Sequence, residues 1–306
     1  MPIIFKQGWL AELPVMDTLL FPVSRTKGNG MRSVWLFFLL AWIISWGGII
    51  LSFGGDRLQI FQGQNVLSGA VSRQLLFIWL AMLAGPAIGG IVFTWMAAGR
   101  EGVKKLFASS IRWRVNAIWW VAALFLFPAL LFMIFYALSF LLPNYSPGSL
   151  IVLGIAAGLI GGYFEELGWT GFATPRMLQR FGFIKTGLVL GFLHATWHLF
   201  SDYLGSAGFY NSLYAVHFLL WILALVALRF IIIFIYHHTQ SLLLAQLTHA
   251  SFTGSQIILT PAGLTSTETI LWYALFTAVL VVLAVVIIAR ERKNKSIRLQ
   301  KARISQ

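Results

Sequence analysis

Eight stretches of the 306-residue chain are strongly apolar and almost free of charge: 33–53, 74–97, 115–142, 149–167, 186–204, 212–236, 241–260 and 267–290. Crossing the hydrocarbon of a bilayer takes about 20 helical residues. Only an element that satisfies its own backbone hydrogen bonds survives at that depth. The expected fold is therefore all-α, a polytopic membrane bundle of about eight transmembrane helices. With 59% hydrophobic and 10% charged residues, the chain lacks the charged surface that a soluble domain of this length needs. The expected organisation is a cytoplasmic or interfacial segment over 1–32, one transmembrane domain over 33–290 and a basic cytoplasmic tail over 291–306. Met31, just before the first span, is an alternative start.

A net charge of +13 would suit nucleic acid, but its distribution along the chain argues against that partner. If the N-terminus is placed inside, 20 of the 22 Lys and Arg residues fall on one side, with only Arg57 and Arg73 in outer loops. That asymmetry is the positive-inside pattern, and it predicts an even number of spans with both termini cytoplasmic. The expected location is a cell membrane, multi-pass, of the bacterial inner-membrane type. The expected partners are the lipid bilayer, with the tail near anionic headgroups, and no nucleic acid. There are no cysteines, which removes thiolate chemistry and disulfides. The first 30 residues hold Glu12, Pro14 and Asp17 in place of an uninterrupted apolar core, so no cleavable signal peptide is expected.

Ionisable groups at membrane depth cost about 2.5–3.5 kcal/mol each on insertion scales, so they mark function by default. Three spans carry them. In the fourth, Gly154, Gly158 and Gly162 recur every four residues as a ridge suited to close helix contact. Continuing the ridge gives Glu166 and then Thr170, while Glu165 sits about 100° round the helix beside Gly161. In the fifth, His194 and His198 share a face and Asp202 extends the stripe by a turn. Two histidines so spaced can bind a metal or act as base and donor. In the seventh, His249 and Thr253 are again one turn apart. Spans five and seven run opposite to span four, so the three polar sites reach compatible depths and are expected to share one cavity in the inner half of the bilayer. Such groups also occur as solvated helix ends or as structural hydrogen-bonders, above all where a histidine stands alone.

These residues resemble the motifs of the CAAX-protease and bacteriocin-processing (CPBP, or ABI) family of intramembrane proteases. The family's motifs are Glu-Glu-x-x-x-Arg, Phe-x-x-x-His and His-x-x-x-Asn. Here they stand as EELGWT at 165–170, followed by GFATPR, then HATWH ending at His198, and HASFT starting at His249. The similarity covers roughly 149–260. Thr170 replaces the motif Arg, His194 the Phe and Thr253 the Asn. The resemblance implies cleavage of a peptide bond in a membrane-associated peptide or protein substrate. It makes Glu165 the general base, with His198 sharing that role, and Glu166 its support. His249 and Thr253 would stabilise the oxyanion. Without the motif Arg, Glu166 is expected to lack its cation and to be protonated or to rely on Thr170. The glycine ridge points to Glu166 and the resemblance to Glu165, so the base stays open between them. No cofactor is required by this reading; His194, an extra ligand beside His198, keeps zinc open. A catalytically silent scaffold is the main alternative, motivated by Thr170 and Thr253. A transporter is a weaker one, because no duplicated halves are visible.

Overall fold

In the computed structural model, which describes residues 29–53, 73–142, 145, 148 and 150–304, the eight apolar stretches fall on helical segments. The N-terminal segment 1–28 and the outer loop 54–72 with Arg57 lie outside the described residues. The helices are α1 (Asn29–Phe53), α2 (Arg73–Ser109), α3 (Ala117–Ser139), α4 (Ile151–Gly168), α5 (Thr174–Trp197), α6 (Leu199–Tyr210), α7 (Tyr214–Thr239), α8 (Leu242–Leu259) and α9 (Ser266–Ile304). No strand occurs among the described residues. The fold is a polytopic helical membrane bundle. Six segments are long and apolar enough to cross a membrane; two of them, Ile151–Trp197 and Leu199–Thr239, run through consecutive helices. Helix α8 is not among the six, because Gln246, Thr248, His249, Thr253 and Ser255 lower its hydropathy.

The bundle is turned inside out relative to a soluble protein. Leu51 and Val152 are more than four-fifths exposed, whereas Glu166, His194 and Arg229 have no exposed surface at all. Outward apolar side chains suit lipid, and the polar groups collect where helices meet.

Two glycine seams draw the central helices together. Gly154, Gly158 and Gly162 of α4 lie against Ile258, Gly254, Ala250 and Gln246 of α8, ridge on ridge. A Cβ at Gly162 would stand 2.3 Å from the Gln246 carbonyl, so only glycine permits this approach. On α5, Gly187 faces Phe230 and Gly191 meets the Val226 backbone of α7. The α7–α8 corner is closed locally. Gln240 takes a left-handed conformation (φ 53°) and Ser241 caps α8, accepting from the Leu244 amide at 3.2 Å.

Two breaks shape the polar region. A five-residue π-helical turn, Trp169–Ala173, begins two residues after the Glu165–Glu166 pair, a feature found often at functional sites. The second interrupts the fifth apolar stretch at His198, so Asp202 belongs to α6 and not to the helix of His194. Asp202 still stands one turn beyond His198, its amide donating to the His198 carbonyl at 2.8 Å, and its carboxylate pairs with His217 of α7 at 3.2 Å.

Candidate active site

The glycine ridge of α4 ends on Glu166, and the contact it makes with α8 delivers that carboxylate to His249, whose Nδ1 lies 2.7 Å from Glu166 Oε1. Thr170, one turn further along, donates its hydroxyl to Glu166 Oε2. The second seam supplies a cation. Arg229 of α7 donates from Nη1 to Glu166 Oε2 at 2.8 Å and from Nη2 to Oε1, a two-pronged pair in which both side chains are fully buried. Guanidinium and carboxylate match in geometry, so this pairing is both directional and strong.

Arg229 overturns one expectation from the sequence. It is wholly buried on a carboxylate. The motif comparison leaves Glu166 without a cation because Thr170 stands at the motif Arg position; the cation comes instead from another helix. Sequence spacing cannot reveal a partner 63 residues away. The available signal is a lone arginine in the apolar run WILALVALRFIIIF, which is costly in a membrane unless paired.

Glu165 points about 100° away, toward α5. Its Oε2 lies 3.0 Å from Nε2 of His194 and 3.9 Å from Nε2 of His249. The three form a buried group in which one ligand atom from each lies within 4.8 Å of the others. His194 is also packed against Trp169, with ring centroids 5.5 Å apart. His198 is one layer out and half-buried, against Trp197 at 4.6 Å and Trp221 at 5.4 Å, with its ring 5.2 Å from His194. Thr253 sits a turn beyond His249 on α8, also half-buried.

Helices α4, α5 and α8 thus bring their polar residues to one place, as their depths predict. The nearest imidazole to Glu165 is His194, the residue standing in place of the motif Phe. Two imidazoles and one carboxylate are also a donor set that zinc accepts; the set is Glu165, His194 and His249, with His198 outside it.

Among curated proteins no relative matches the chain. Residues 147–255, which hold α4 to α7 and most of α8, match the family model "Type II CAAX prenyl endopeptidase Rce1-like", in keeping with a CPBP-type CAAX protease and with the EELGWT, HATWH and HASFT motifs that lie inside that segment.

Proposed function

We propose that the chain is an intramembrane endopeptidase that hydrolyses a peptide bond in a membrane-associated substrate, with Glu165 as the base that activates water. The observation that carries this reading is the unequal engagement of the two glutamates. Glu166 is held by Arg229, Thr170 and His249, whereas Glu165 has imidazoles around it. A carboxylate already saturated by a guanidinium is a poor proton acceptor; one flanked by imidazoles in a water-poor site is a good one.

In this mechanism Glu165 takes a proton from water, and the water oxygen bonds to the scissile carbonyl carbon. The same proton passes to the amide nitrogen as the C–N bond breaks. His194 orients Glu165. Glu166 occupies Nδ1 of His249, which leaves Nε2 turned toward Glu165 and open to a bound peptide. Because Nδ1–H is donated to Glu166, Nε2 donates only when His249 is an imidazolium; in that form it and the Thr253 hydroxyl are the donors for the tetrahedral oxyanion, an arrangement whose members are each worth about 100- to 1000-fold in rate. His198 supports His194 from the next layer. A prenylated C-terminal tail leads the substrate classes, since the matched family is described as a CAAX prenyl endopeptidase.

The test compares peptide ends in membranes holding the native chain with those holding Glu165→Gln. Ends found only with the native chain are expected. Identical sets would remove the protease reading and leave a peptide-binding scaffold.

The Glu165, His194 and His249 group favours one variant of this reading. These three would hold a zinc ion, which would supply Lewis-acid polarisation and a water of lowered pKa. The measurement is metal content of the purified protein. About one zinc per chain, lost in His194→Ala, would establish the metal form.

A further inference from the structure

Glycine in the middle of a helix is destabilising relative to alanine, so each one calls for a reason. In the α4 seam the reason is contact, because a Cβ at Gly154, Gly158 or Gly162 would strike α8. Gly99, Gly182 and Gly263 have positive φ. Gly161 has neither reason. Among the described glycines it alone is buried, lacks a positive φ, and has no atom within 4 Å of the place a Cβ would take. No neighbouring helix packs into the place of a Cβ there.

Its position says what the space serves. Gly161 precedes Glu165 by four residues, so the two share one face of α4 about one turn apart. That face is turned away from the α8 seam by about 100° relative to Gly162 and leads to the carboxylate that lies between His194 and His249. We infer that Gly161 is a specificity-determining residue: its missing side chain keeps clear the ground next to Glu165 on which the substrate's backbone lies beside the scissile bond. The inference rests on the protease reading and adds to it the residue that sets how bulky a chain can approach the base. Alanine there fills part of the space, and leucine closes it.

The absence of native cysteine allows two independent measurements in reconstituted vesicles. In the first, Gly161→Cys is exposed to a small water-soluble methanethiosulfonate. Modification of the folded protein is expected, with Ala224→Cys, at a fully buried position of α7 that already carries a Cβ, as the unreactive control. In the second, cleavage of the membrane peptides that the native chain cleaves is compared in Gly161→Ala and Gly161→Leu. Leucine is expected to lower cleavage about 100-fold, the penalty typical of a displaced reacting group, and alanine to lower it less. Neither variant should lower the melting temperature, and alanine should raise it. A site that merely packs would show the opposite sign, with stability falling first. An unmodified Gly161→Cys, or native-level cleavage by Gly161→Leu, overturns the inference. If the native chain cleaves nothing, the protease reading falls, while the labelling still decides whether the space exists.

Discussion

Glu165 and Glu166 are the same residue, adjacent on one helix and both buried, yet they sit in opposite chemical surroundings. Around Glu166 stand a guanidinium, a hydroxyl and the Nδ1 of His249. Around Glu165 stand His194 and the far nitrogen of His249. The rotation of about 100° between consecutive helical residues hands one carboxylate to the α7–α8 side and the other to α5. In the proposed mechanism one is a charge-balanced fixture that orients His249 and the other is the base. Adjacent acids in a membrane helix therefore need not act as a pair; the neighbouring helices can give each its own task.

The strongest way to break that division is to remove the cation. Arg229→Leu leaves a buried carboxylate unpaired, which costs about 3–5 kcal/mol and should appear as a large fall in melting temperature and yield. Adding Thr170→Arg to the same chain should recover much of the loss, because position 170 already touches Glu166. An unchanged melting temperature in Arg229→Leu would show that the pair is not what holds Glu166.

On the other side, Glu165→Gln should lower cleavage about 100- to 10,000-fold, the usual contribution of a general base, with the melting temperature close to native. If instead its stability falls as far as that of the Arg229 variant, the two carboxylates share one role.

The histidines sharpen the comparison further. His194→Ala is expected to lower cleavage about 100-fold and His198→Ala about 10-fold, the scale of an indirect support. Initial rates for the two variants decide it. The reverse order would return the leading role to the motif histidine at 198.

The smallest effect concerns the seam. Gly162→Ala forces a methyl group toward the Gln246 carbonyl and should cost about 1–3 kcal/mol, measured by thermal unfolding. The same change at Gly161 should cost nothing, which separates packing glycines from the one beside the base.

Much of this architecture is legible in the residues alone. The apolar stretches predict helices because a membrane span has one hydrogen-bonding solution. The period-four glycines predict the α4 seam, because small residues at i and i+4 make one flat face. Glu165, Glu166, His194, His198 and His249 stand out because charge and imidazole are rare where water is absent, although which of them group together does not. Three things are hidden at that level. Arg229 resembles one more inner-side charge, since spacing carries no information on which distant residue will face a given carboxylate. Asp202 continues the histidine stripe by a turn, but its partner His217 on α7 is hidden for the same reason. The roles of Thr170 and His194 depend on who stands opposite them. Sequence by itself determined which segments are helices and which faces are polar, because those follow from local periodicity and from the cost of polar groups in lipid. Only the tertiary structure decided which carboxylate meets the guanidinium and which meets the imidazoles, because that choice depends on the rotation of four helices packed through glycine contacts.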